Sequence, residues 1–88
     1  MGRIVSFCFH CPGAYSVTVA GDFNNWDVST HAMVYDSSRD LWTVVLPIEE
    51  PGRYEYKYFV DDQVWWNDPS APKVPNAWGS ENSYIDVE

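Results

Sequence analysis

Interruptions govern this sequence. Residues that break regular backbone recur at short intervals along its 88 positions: Pro12-Gly13, Asn24-Asn25, Ser37-Ser38, Pro51-Gly52, Asp61-Asp62, then Pro69, Pro72 and Pro75. No stretch between them sustains a 3.6-residue apolar period, so no amphipathic helix is offered. Short alternating runs do fit between the breakers, which predicts an all-β fold, a sandwich or a barrel. Strands are expected over residues 3 to 9, 15 to 22, 31 to 36, 40 to 48, 53 to 61, 63 to 66 and 82 to 87. The length suits one small domain spanning residues 1 to 88, too short for a second core.

Alternation within each run assigns its faces, because successive strand residues point to opposite sides. In Leu41 to Leu46 the set Trp42, Val44 and Leu46 is expected inside, with Thr43 outside. In Arg53 to Val60 the set Tyr54, Tyr56, Tyr58 and Val60 faces inward, and Glu55 and Lys57 face outward. Lys57 is therefore held rigidly in the middle of an element. Phe59 breaks the polar alternation on that outer face, and the pattern gives no reason for it. By the same rule the adjacent Trp65 and Trp66 cannot both be core, so one is expected in the core and the other facing solvent or a ligand. The segment from Asn67 to Asn82 carries three prolines, which fix the backbone and remove donors. It reads as neither strand nor helix, but as a long, stiff loop that presents Trp78.

The function classes narrow by charge. A net charge of −8 with only five Lys and Arg argues against nucleic acid, whose backbone must be neutralised at several phosphates. An anionic membrane surface is disfavoured for the same reason. No apolar run reaches membrane-spanning length and no basic, apolar leader opens the chain, so a cytoplasmic protein is expected. Cys8 and Cys11 make a C-x-x-C pair, but a tetrahedral zinc site needs four ligands and there is no second pair. The redox reading fails because Cys11 runs into the Pro12-Gly13 turn rather than a helix N-terminus. Two strand-end thiols in a reducing compartment remain, with no metal and no cofactor expected.

The aromatic share is what stands out. Phe, Trp and Tyr make up 17% of the chain, and five Trp are hard to hide in so small a core. Trp26 follows Gly21-Asp22-Phe23-Asn24-Asn25, a turn at a strand end, where an indole either folds back into the core or is offered to a ligand. Trp26, one of Trp65 and Trp66, Trp78, the outward Lys57 and the amide of Asn82 together have the chemistry of a sugar site. A pyranose presents C–H bonds on its face and hydroxyls around its rim, so aromatic planes hold the face while Lys and Asn meet the rim.

Four blocks carry a resemblance: Gly21-Asp22-Phe23-Asn24-Asn25-Trp26; Pro51-Gly52 with Tyr54, Tyr56-Lys57-Tyr58 and Val60-Asp61; Trp65 with Asn67-Asp68-Pro69; and Gly79-Ser80 with Asn82. In this order and spacing, over residues 15 to 88, the chain resembles carbohydrate-binding module family 48, the glycogen-binding and isoamylase early-set domains. The resemblance implies an immunoglobulin-like, early-set antiparallel β-sandwich that binds α-1,4-linked glucan (glycogen, starch or maltooligosaccharide) and is not an enzyme. Carried over by position, Trp26 and Trp65 are stacking platforms and Lys57 and Asn82 hydrogen-bond sugar hydroxyls. Ser80 keeps a hydroxyl where the kinase-associated members have threonine, and Trp78 stands where they have leucine. Relative to those members the hairpin after Asp61-Asp62 has one extra residue, which leaves Trp65 and Trp66 as alternatives; the distance to Asn67-Asp68-Pro69 favours Trp65.

Two other readings compete. The same aromatic surface could dock on a glucan-active enzyme or a kinase subunit, with sugar binding lost. Catalysis is the weaker one: glycoside hydrolysis needs two carboxylates facing across a cleft, and the adjacent Asp61 and Asp62 read as a turn.

Overall fold

The structure, a computed structural model, describes residues 3 to 88; the first two positions of the expected 1 to 88 domain lie outside the described residues. Eight strands follow one another: β1 (Arg3–Phe9), β2 (Val17–Gly21), β3 (Val34–Asp36), β4 (Leu41–Ile48), β5 (Gly52–Val60), β6 (Val64–Trp66), β7 (Lys73–Pro75) and β8 (Glu81–Val87). A 3-10 turn, Asp22–Asn24, follows β2.

The strands pair antiparallel in two sheets. One has the order β1-β4-β3, and the other has the order β2-β5-β8-β7 with β6 also paired to β5. Packed face to face they make the antiparallel β-sandwich of immunoglobulin-like, early-set type that the sequence predicts. Aromatic rings bridge the layers: Phe7 of β1 meets Tyr56 of β5 edge-on at 4.9 Å, and Phe9 stacks on Tyr58 at 4.4 Å. Val17, Val19, Trp42, Leu46 and Val60 are buried around them. The expected inner faces of β4 and β5 hold, with Val44 and Tyr54 partly buried against the core.

Burying tyrosines obliges the fold to satisfy their hydroxyls. Tyr56 and Tyr58 both donate to Asp68 Oδ2, at 2.8 and 3.0 Å, while Asp68 Oδ1 accepts from Ser70 N at 2.9 Å and Ser70 Oγ at 2.7 Å. Asp68 itself is only 5% exposed. Burial works against its charge, but the hydrogen bonds from Ser70, Tyr56 and Tyr58 hold its carboxyl below the ordinary aspartate range. Burial and the neighbouring carboxylate push both phenols well above theirs.

Three expectations are corrected. The segment from Asn67 to Asn82 is not free of strand: Lys73 to Pro75 pairs with β8, Lys73 opposite Ser83 and Pro75 opposite Glu81. Strand β7 ends the order of its sheet among the described residues, and proline is tolerated on such an edge. The strand expected over 31 to 36 is confined to Val34–Asp36, because the chain changes sheet there. Val19 N donates to His31 O at 3.1 Å and Met33 N to Val17 O at 2.8 Å, so residues 31 to 33 lie beside β2 before β3 joins β4. Finally, neither Trp65 nor Trp66 is core, being 41% and 53% exposed. Strand β6 is three residues long and flanked only by β5, so Trp66 lies at the sheet margin although its partner Tyr58 is buried.

Candidate functional site

The site begins at the end of β2. Gly21 pairs with Tyr56 so closely that a Cβ on it would overlap Glu55 O and sit 2.7 Å from Tyr56 Cβ. Beyond it the chain turns under the control of two side chains. Asn24 reaches back, its Oδ1 accepting from Gly21 N at 3.0 Å and its Nδ2 donating to Val19 O at 3.2 Å. Asp22 ties the turn to β5, its Oδ2 accepting from Glu55 N at 2.8 Å. Phe23 points inward, 5.5 Å from Phe7. Asn25 and Trp26 then both adopt left-handed backbone, φ 57° and 59°, a costly conformation for residues with side chains. The reversal swings the half-buried indole of Trp26 out of the core, where its Nε1 donates to Asp22 Oδ1 at 3.1 Å.

Trp65 comes to the same place from β6. The hairpin turn before it has Asp61 and Asp62 at φ 55°, and Asp61 Oδ1 accepts from Tyr15 N at 2.6 Å and Ser16 N at 3.0 Å. Trp65 pairs with Phe59 of β5, and the two rings lie 4.6 Å apart. Phe59 is thereby explained: it is the apolar floor under Trp65. The Trp26 and Trp65 rings stand 6.1 Å apart with their planes inclined at 63°. They form a corner rather than two parallel plates.

The third side is the connection between β7 and β8. Trp78 projects from it, 89% exposed. Asn76 Oδ1 accepts from Trp78 N at 2.9 Å and from Ser80 N at 3.1 Å. Its Nδ2 donates to Ser80 Oγ at 3.0 Å and to Asn82 Oδ1 at 2.9 Å. Asn82 Nδ2 in turn donates to Glu55 Oε1 at 3.0 Å.

A groove of about 610 Å3 runs between these three sides, and all six residues picked out from the sequence line it: Trp26, Lys57, Trp65, Trp78, Ser80 and Asn82. Trp66 does not. Five further lining residues escaped the sequence reading, Asp22, Glu55, Pro75, Asn76 and Ala77. Glu55 was within reach, since alternation puts it on the same outer face as Lys57. Asn76 carried no signal beyond its place in a proline-rich stretch.

Chemically, the groove offers indole surface, an ammonium, a hydroxyl, two amides and two carboxylates. Asp22 already accepts at both oxygens, and Asp61, one of the pair weighed for catalysis, is spent on the backbone of residues 15 and 16. Among the described residues no three His, Cys, Asp or Glu side chains converge as metal ligands would. Cys8 and Cys11 are not joined in a disulfide. No helix of the described residues is long and apolar enough to cross a membrane.

The chain has relatives among known proteins. The family model for carbohydrate-binding module 48 (isoamylase N-terminal domain) matches residues 1–83. The chain is 40% identical over 76 residues to 5'-AMP-activated protein kinase subunit beta-2 of Homo sapiens, covering 86% of this chain and 26% of that protein. It is 36% identical over 76 residues to subunit beta-1 of Rattus norvegicus, with the same coverage. It is also 38% identical over 71 residues to the 1,4-alpha-glucan branching enzyme GlgB of Shewanella frigidimarina, covering 76% of this chain and 9% of the enzyme. The chain thus spans about a quarter or less of the length of these relatives.

Proposed function

The chain belongs to the carbohydrate-binding module 48 family, and from that membership we propose that it binds α-1,4-linked glucan and performs no catalysis of its own. The observation that carries this reading is the convergence of Trp26, Trp65 and Trp78 with Lys57, Ser80 and Asn82 on one groove. The indoles take the C–H faces of glucosyl rings, and the polar side chains take the hydroxyls around the rims. The inclination of 63° between Trp26 and Trp65 suits two rings of a chain that curves, as α-1,4 linkage makes it. A flat, extended glucan would meet one plane and miss the other. Two stacks and a few hydrogen bonds give net binding of about 4 to 7 kcal/mol, a Kd of roughly millimolar to ten micromolar. A polymer offers many copies of the ligand, so retention on glycogen or starch exceeds what one site gives.

Titration with maltoheptaose or β-cyclodextrin while following Trp fluorescence tests the proposal. We expect a saturable change, weak or no response to a β-1,4-linked oligosaccharide of similar length, and loss of glycogen retention in a Trp26→Ala/Trp65→Ala variant. Unchanged retention of that variant in a glycogen affinity gel would refute it.

A second reading has its own support. Ile4, Val34 and Val45 are exposed on the outer face of the β1-β4-β3 sheet, and two of the relatives are a kinase subunit and a glucan-active enzyme. Docking of that face on such a partner would survive saturating maltoheptaose and fail in a Val34→Asp/Val45→Asp variant. A chain that captures neither kind of partner sinks this reading. Cytoplasmic residence fits both readings, because a reducing compartment suits the two unpaired cysteines.

A further inference from the structure

Trp78 raises a physical problem. An indole that is 89% exposed has little to hold it in place, and a side chain that must be ordered on binding weakens that binding. What fixes Trp78 is its backbone, through one neighbour. The five residues Asn76 to Ser80 connect β7 to β8, and Asn76 N donates to Ser80 O at 3.0 Å, closing the connection at its base. The Asn76 side chain fills the space inside. A neutral amide has two N–H donors and room for two acceptor contacts, and in Asn76 all four are used. Both acceptor contacts go to the loop backbone, at Trp78 N and Ser80 N. Both donors go to groove side chains, at Ser80 Oγ and Asn82 Oδ1.

We propose that Asn76 is the positioning residue of this groove, a single amide that sets Trp78, Ser80 and Asn82 in their ligand-ready arrangement before glucan arrives. The inference rests on the glucan-binding reading and deepens it. Its hydrogen-bonding capacity being spent within the protein, Asn76 acts through its neighbours and not on the sugar. The Asn82 amide is oriented by this contact: with Oδ1 held by Asn76 and Nδ2 donating to Glu55 Oε1, one N–H remains to point at a ligand oxygen. Only glutamine carries the same donors and acceptors, on a stem one methylene longer. Aspartate keeps the two acceptor contacts but has no donors, and it would set a carboxylate against Asn82 Oδ1. Alanine keeps neither.

The two substitutions separate the two halves of the role. In the 88-residue chain, Asn76→Ala is expected to weaken β-cyclodextrin binding by about 5- to 30-fold, measured calorimetrically. Asn76→Asp is expected to recover part of that loss by restoring the loop. Amide hydrogen exchange gives the reading that a merely stabilising residue would not move. Protection at Trp78 and Ser80 should fall in Asn76→Ala and return in Asn76→Asp, while the β5-β8 ladder at Tyr56 and Ser83 stays protected in both. Asn76→Ala binding within about twofold of the parent overturns the inference and leaves the glucan reading intact. Loss of ladder protection together with loss of binding also overturns it, since Asn76 would then act on global stability. A parent chain that ignores β-cyclodextrin brings down the glucan reading, and this inference with it.

Discussion

Asp68 shows how much one side chain can settle. Its carboxylate is the shared acceptor for the two buried phenols of Tyr56 and Tyr58. Replacing it with Ala strands the Tyr56 hydroxyl and leaves that of Tyr58 only its 3.4 Å contact with Cys8 O; with about 1 to 3 kcal/mol for a fully unsatisfied group and less for Tyr58, the variant should lose about 2 to 4 kcal/mol in urea unfolding at pH 7. The carboxyl is held below its ordinary value in the folded chain, so the sign of its pH dependence follows. The stability it contributes is fully present above the unfolded pKa of about 4 and is lost as pH falls through the lower folded value. An Asp68→Asn variant should lack that part of the acid response, which urea midpoints compared between neutral pH and about pH 3 would reveal. Phe59 makes a different point. It touches Trp65 from below, so Phe59→Ala should cost affinity without removing any group that meets the sugar. A contact between aromatic rings worth about 0.5 to 1.5 kcal/mol corresponds to a maltoheptaose Kd raised by roughly 2- to 10-fold. An unchanged Kd would show that Trp65 needs no floor.

Elements were legible in the sequence to the extent that their periodicity was local. The alternation of Arg53 to Val60 placed Tyr56 and Tyr58 inside and Lys57 outside, and the structure agrees because the nine residues of β5 are paired along their length, with β8 over Gly52 to Tyr56, β2 over Tyr56 to Val60 and β6 over Tyr58 to Val60. Short elements were not legible. Strand β7 is three residues ending in Pro75, and what makes it a strand is its pairing with β8. Strand β3 starts late because residues 31 to 33 are bonded to β2 instead. The junction of β2 with β5 depends on Gly21, whose extended backbone any residue could adopt but whose missing Cβ lets Tyr56 approach. Gly21→Ala should therefore destabilise by about 1 to 3 kcal/mol through overpacking. It should also weaken glucan binding, because the turn carrying Asp22 and Trp26 starts there. Urea unfolding and cyclodextrin titration of the same variant check both effects.

At the scale of the molecule, the groove is assembled from residues as far apart as Asp22 and Asn82, on the outer face of the sheet that contains β5. The charge of the whole chain bears on what enters it. With a net charge of −8 and a neutral ligand, no ion pair across the interface is at stake. Maltoheptaose affinity should change by less than about twofold between low salt and about 0.5 M salt, since screening has little to act on. A phosphorylated oligosaccharide should instead bind less tightly than its neutral counterpart at low salt, with Asp22 and Glu55 lining the groove beside Lys57, and the gap should narrow as salt is added. Calorimetry across the salt series distinguishes the two.

By itself the sequence determined the properties that are read over a few residues. Breaker spacing excluded helices, alternation set the faces of β4 and β5, and the turn residues around Asn24 and Asp61 placed their reversals. The four spaced blocks pointed to the family and to six residues of one groove. Only the tertiary structure decided that Trp66 lies outside the core, that Trp26 and Trp65 meet at an angle, that Phe59 supports one of them, and that Asn76 organises the third side. The reason is geometric. Alternation tells which face of a strand a side chain takes, but a face is not an environment. Whether that face is covered, and by what, depends on which strands pair, in what register, and where the sheet ends. Those are relations between segments dozens of residues apart, and no local pattern encodes them.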